Sequence, residues 1–241
     1  MQPPTLAKDC ENRLLAMLPQ HEYEALLPQL EFIETPARFI VYERDKPITH
    51  VYFPLVGAHS VLAIMEDGSA VEVGTVGFEG FSTVAVLTGA SLAMETTIVQ
   101  VPGSSLRMKR AAFEQACKEG SALQRIVTRY LQVYLAQVSQ SVACNRLHSL
   151  EQRFARWVLM SHDRVKSNEF QLTQEFLADM LGVYRPSVSL VARAFQQAGL
   201  LRYNRGIMTI LDRKGLEEIC CECYGVVRQR YERTFGPPGV S

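Results

Sequence analysis

The sequence predicts an α+β fold on three observations. Short apolar runs with a period of two fill Phe39 to about Met108, a run without proline or glycine extends from Ser121 to Ser149, and two amphipathic segments flank Gly182 ahead of an alternating pair. Together they predict an N-terminal antiparallel β-roll (1–120), a long dimerisation helix (121–149) and a C-terminal winged helix-turn-helix (150–235).

The first elements are helical. Leu14, Leu15 and Leu18, then Tyr23, Leu26, Leu27 and Leu30, recur at helical spacing, and Pro19 divides them into two short helices that would cover a sheet. The strand region follows in the runs FIVY, THVYFP, HSVLAIM, AVEVGTV and TTIVQVP, rich in Val, Ile and Tyr. Asp67-Gly68 between two alternating runs signals a hairpin, and Val56-Gly57, Gly89 and Pro102-Gly103 are expected to mark further reversals. Many short strands without long intervening helices favour a roll or barrel.

After a short helical segment at Phe113 to Cys117, the long helix places Leu123, Val127, Tyr130 and Tyr134 at alternating steps of four and three. The seam continues through Gln137 and Ser141 to Cys144. Such a heptad seam predicts self-association along Leu123, Val127, Tyr130, Tyr134 and Gln137; packing of the helix on its own sheet is the competing expectation. Leu147, Leu150, Phe154, Trp157 and Val158 form one side of a further helix that begins the last unit.

In that unit Thr173 caps a helix burying Phe176, Leu177, Met180 and Leu181, Gly182 permits a sharp turn, and a second helix from about Arg185 to Ala198 buries Val188, Val191, Ala192 and Phe195. Runs around Tyr203-Asn204-Arg205-Gly206 then form a hairpin wing. Two helices crossed over such a turn are the arrangement whose second helix enters the major groove of double-stranded DNA. Arg185 has the chemistry to pair with guanine O6 and N7, Ser187 and Ser189 to bond a phosphate or a base edge, and Thr173 and Arg205 to contact phosphates. Glu175, in the first turn of the first helix, completes the candidate DNA-binding set.

Composition narrows the class. The 25 basic and 25 acidic side chains balance, so there is no global field of the sort that coats nucleic acid, although the C-terminal part is slightly basic. No basic leader with an apolar stretch and no membrane-length apolar segment is evident, which predicts a cytoplasmic protein without a membrane partner. Phosphate loops, nucleophile elbows and paired histidine ligand motifs are absent, so no enzyme and no cofactor is expected. The six cysteines, Cys10, Cys117, Cys144, Cys220, Cys221 and Cys223, are too scattered for a disulfide framework. Cys220, Cys221 and Cys223 fall in the helical-looking stretch LEEICCECYGVV, where one helix cannot aim all three at one ion. They are expected to be inert thiols, and no metal site is predicted.

In order, the LLAMLP helices, the β-roll, the long helix, the segment LTQEFLADMLGVYRPSVSLVARAFQQAGLL and the wing resemble the Crp/Fnr superfamily of bacterial transcription regulators over about residues 12–215. The resemblance implies a cyclic-nucleotide-binding-like sensor roll, a homodimer joined along the long helix, a roughly palindromic DNA site and contact with RNA polymerase. It further implies control by an unknown signal or constitutive activity, with a cyclic-nucleotide response through a non-standard pocket as the alternative. Two departures stand out. Where relatives carry Arg-Glu and a further Arg one turn on, this chain has Arg185-Pro186 and Leu190. In the region where cyclic-AMP binders hold the ribose and phosphate, GFEGFSTVAVLTGASLAMETT contains no Arg or Lys, which argues against that phosphate. Glu79 there is a weak candidate for a ligand contact, a solvated loop carboxylate being the plainer expectation. Only Cys10 lies where an iron-sulfur branch of the superfamily has its cysteine cluster.

Overall fold

The computed structural model describes residues 3–236. Helices α1 (Arg13–Ala16) and α2 (Gln20–Leu26) lead into strands β1 (Glu31–Thr35), β2 (Ile40–Tyr42), β3 (His50–Ile64), β4 (Ala70–Val76) and β5 (Thr96–Lys109). Helices α3 (Arg110–Ala116), α4 (Ala122–Leu147) and α5 (Leu150–His162) follow. The winged unit comprises β6 (Glu169–Gln171), α6 (Gln174–Leu181), α7 (Arg185–Gln197), β7 (Leu201–Asn204) and β8 (Ile207–Ile210), and α8 (Arg213–Ile219) and α9 (Cys223–Phe235) complete the described chain.

The roll is an antiparallel sheet in the order β1-β5-β3-β4, with β2 also paired to β5. The hairpin expected at Asp67-Gly68 joins β3 to β4, closed by the Met65 N–H to Ser69 O bond at 2.8 Å. Two expected reversals are not reversals. Val56-Gly57 lies inside β3 and Pro102-Gly103 inside β5, with shifts of register between Pro54 and His59. A Cβ on Gly57 would come within 2.4 Å of Val101 O, and one on Gly103 within 2.0 Å of Val56 O. The glycines let two long strands bend together at a shared bulge, so the local turn signal marks curvature. Strand β1 was hidden because Glu31 and Glu34 interrupt its apolar pattern; Arg107 on β5 pairs with Glu31 at 2.9 Å.

Both ends of the long helix are set locally. Ser121 Oγ accepts from Gln124 N, and Ser149, in a capping box with Gln152, restarts the chain as α5. The heptad seam expected to face a partner is occupied within the chain: Leu123, Val127, Tyr130, Tyr134 and Gln137 are all buried against the roll, α1 and α9. An apolar stripe at heptad spacing fits an adjoining sheet as well as a second helix, and here the sheet has it.

A second core unites α5 to α8 with Ala58, Leu62 and Val101 of the roll. The expected unit 150–235 is not self-contained, because Val227 and Tyr231 of α9 return to the first core. The stretch LEEICCECYGVV is also not one helix. It stops at Ile219, Cys220 adopts extended backbone (ψ 148°), and a new helix begins at Cys223. No helix among the described residues is long and apolar enough to cross a membrane.

Candidate nucleic-acid interface

Helix α6 starts where Thr173 Oγ1 accepts from Phe176 N at 3.1 Å, and it ends at Gly182, whose φ of 61° is left-handed. The chain then turns through Val183 and Tyr184 into α7. Pro186 falls in the first turn, where its missing N–H breaks no helical bond. Val188, Val191, Ala192 and Phe195 are buried, with Phe195 edge-on to Phe154 of α5 at 5.1 Å. This packing fixes which face of α7 points outward.

That face carries Arg185, Pro186, Leu190 and Arg193, all exposed, with Tyr184 standing 86% exposed at its head. Arg185, Ser189 and Arg193 follow one another at intervals of one turn and line one shallow surface. Arg193 was not singled out in the sequence because the expected position for a second arginine holds Leu190; the i, i+4, i+8 spacing from Arg185 is the signal that identifies it. Ser187 and Ser189 are half-buried, and Ser189 Oγ lies 2.7 Å from Gln174 Oε1 of α6 and 3.1 Å from Arg185 O, so its proton has acceptors within the protein.

The wing is a two-residue turn with positive φ at both Arg205 (48°) and Gly206 (80°). It is tied to the start of α6 by Leu172 N–H to Gly206 O at 2.8 Å and by Tyr203 Oη to Leu172 O at 2.6 Å. Exposed Arg205 and Thr173 therefore share one depression, which Arg38 from the roll also lines while its guanidinium lies 5.8 Å from the centre of the Phe176 ring. Glu175 is exposed in the first turn of α6, favourable to that end of the helix dipole. The structure thus brings Thr173, Arg205, Arg185 and Arg193 onto accessible surface of one unit, and only a fold could add Arg38.

In the roll, the expectation of a solvated Glu79 is corrected. Glu79 is 6% exposed and its Oε1 accepts from Arg164 Nη2 at 2.5 Å and Nε at 3.1 Å, as well as from Gly77 N at 3.2 Å. The cation missing from the Gly77 to Thr97 interval is delivered from just beyond α5, a placement invisible to local sequence. The space between roll and long helix is filled by side chains: Tyr130 lies 2.3 Å from where a Cβ on Gly80 would sit, and Gln137 Nε2 donates to Thr75 O at 2.8 Å.

A polar network also crosses from roll to α5. Ser60 Oγ is bonded to Glu72 Oε2 and lies 2.6 Å from Gln100 Oε1, and Gln100 Nε2 donates to Ser161 Oγ at 2.8 Å. Burial pushes the neighbouring His59 down to about 3, so its ring is neutral, while burial pushes Glu72 up to about 7 despite its bond from Ser60.

Comparison with known proteins agrees with this geometry. Residues 152–219 match the family model of the Crp-like helix-turn-helix domain. Among solved structures, the chain is similar to a putative Crp/Fnr-family transcriptional regulator from Eubacterium rectale (19% identity, 86% of this chain and 96% of that one, TM-score 0.65). It is also similar to FixK2 from Bradyrhizobium japonicum (15%, 80% and 98%, 0.64) and to a CRP-family transcriptional regulator from Thermus thermophilus (19%, 78% and 95%, 0.65). No curated protein sequence matches. The chain carries a Crp-like helix-turn-helix domain at 152–219 on the fold of the Crp/Fnr-type transcription regulators.

Proposed function

We propose that this chain is a sequence-specific DNA-binding regulator that acts as a homodimer, with α7 reading base edges in the major groove and Thr173 and the Arg205 wing contacting phosphates. The observation that carries the reading is the open outer face of α7, where Arg185 and Arg193 stand two turns apart beside a positively tipped wing. A planar guanidinium suits guanine O6 and N7, and Pro186 in place of an acidic neighbour removes an acceptor for cytosine N4, so the half-site differs from that of relatives with Arg-Glu.

The partner seam is assigned to the outward side of α4. Leu131, Leu135, Val138 and Val142 follow at steps of four, three and four, and Leu135 and Val142 are 55% and 64% exposed. Those are the spacings of a two-stranded coiled coil, and a two-fold dimer would present recognition helices to half-sites about one helical turn (about 34 Å) apart. The ion pair and polar network between roll and α5 provide the route by which a signal at the roll would move α7.

Selection from a random duplex pool, followed by binding of the enriched fragments to the wild type and to Arg185→Ala, tests this. A recurring two-fold sequence whose preference the variant loses is the expected result; enrichment of no sequence would refute the reading.

A further inference from the structure

The break between α8 and α9 gathers side chains that sequence spacing had kept apart. Cys144 and His148 lie one turn apart at the C-terminal end of α4, and His148 leaves the helix as its cap, its N–H bonded to Cys144 O at 3.1 Å. Across from them, the turn after Ile219 brings Cys221 and Cys223 to one side. One donor atom from each of the four lies within 4.8 Å of every other. Cys144 and Cys223 are fully buried and Cys221 is 4% exposed.

The geometry points to a Cys3His site in which Cys144, His148, Cys221 and Cys223 hold one thiophilic divalent cation of the zinc(II) type. Tetrahedral bonds of about 2.3 Å to sulfur and about 2.0 Å to nitrogen place two sulfurs about 3.8 Å apart and a sulfur and a nitrogen about 3.5 Å apart. Cys144 Sγ and Cys221 Sγ are 3.6 Å apart, and Cys223 Sγ and His148 Nδ1 are 3.5 Å apart. With Nδ1 toward the sulfurs, His148 turns Nε2 to Glu222 Oε2 at 3.2 Å, the carboxylate contact that orients a ligating imidazole. Gln140 Nε2 donates to Cys223 Sγ at 3.1 Å, which suits a thiolate. Three thiolates around a divalent cation leave one net negative charge, and Arg156 stands near enough to interact electrostatically with Cys144. Three sulfurs and one nitrogen, with no carboxylate among the ligands, select zinc over calcium or magnesium.

The position gives the site a role. Two ligands lie just before α5 and two just after α8, so a bound ion clasps both ends of the α5–α8 segment, which contains the winged unit, to the end of α4.

Full-length protein isolated under reducing conditions from zinc-supplemented medium is expected to carry one zinc per chain. Replacing zinc with cobalt(II) is expected to give the intense visible bands of a tetrahedral site and a thiolate charge-transfer band. Cys223→Ser and His148→Ala should lose the metal, Glu222→Gln should weaken zinc binding about 10- to 100-fold, and Cys220→Ser should retain it. Wild-type protein with well under one equivalent of zinc, with iron and sulfide instead, or with a Cys144–Cys221 disulfide would overturn the assignment. So would a cobalt spectrum without thiolate charge transfer, or metal lost equally in Cys220→Ser. The wild-type measurements stand even if a ligand variant fails to fold.

Discussion

Arg164, just beyond the end of α5, and Glu79, in the loop after β4, form an ion pair at the junction of the two cores, with both side chains less than one-tenth exposed. The Arg164 carbonyl also accepts from Gly57 N at 2.9 Å, at the bulge of β3. One residue of the C-terminal part is thus bonded to two separate features of the roll.

Removing one partner of this pair leaves the other charge buried. Glu79→Gln and Arg164→Met are each expected to destabilise the chain by about 3–5 kcal/mol, and the double change Glu79→Met with Arg164→Met should recover much of that loss. Urea unfolding of the single and double variants measures it.

A methyl group at Gly80 would meet the buried Tyr130 ring at 2.3 Å. Gly80→Ala is expected to cost about 1–3 kcal/mol through overpacking, read as a lower thermal midpoint, whereas Gly89→Ala has open space around its Cβ and is limited to the penalty of its positive φ.

If the outward seam of α4 joins two chains, Leu135→Asp with Val142→Asp should yield monomers by sedimentation while leaving the circular dichroism of the single chain intact, because both side chains are exposed. Val127→Asp, in the inward seam, should instead disrupt folding, since Val127 has no exposure.

Arg185→Ala is expected to reduce discrimination between the preferred sequence and a mismatch by about 1–3 kcal/mol. Arg205→Ala should weaken binding to all sequences alike and lower the salt slope by about one. Titrations at several salt concentrations separate the two effects.

Buried His59 and half-buried Glu72 give stability opposite dependences on pH. His59 has a folded value of about 3 against an ordinary value of 6.5, so the unfolded chain takes up a proton that the folded one refuses. Stability from this source falls as pH drops from 6.5 toward 3. Glu72, raised from 4.5 to about 7, holds its proton longer when folded, so its contribution is present below pH 4.5 and is lost as pH rises through 7. His59→Gln should flatten the acidic side of the stability profile, and Glu72→Gln the neutral side.

The winged unit was legible in the sequence because its signals are local. Thr173, Gly182 and the apolar spacing of α7 act within a few residues of one another, and they place Arg185 outward whatever the rest of the chain does. Arg193 needed only the register of that helix. Val56-Gly57 and Pro102-Gly103 misled because a glycine that bends two paired strands and one that reverses a chain have the same local composition. The α4 seam misled for a related reason: periodicity tells which side of a helix is apolar and is silent about whether a sheet or a second helix covers it.

The sequence by itself determined the caps of α4, α5 and α6 and the outward face of α7, all set by interactions within about one turn. Tertiary structure alone decided that Glu79 is buried, that the inward seam of α4 belongs to its own roll, and that Cys144 and His148 meet Cys221 and Cys223. Each of these joins residues more than 70 positions apart or depends on which surface covers a helix, and such pairings follow from how the two cores close on each other.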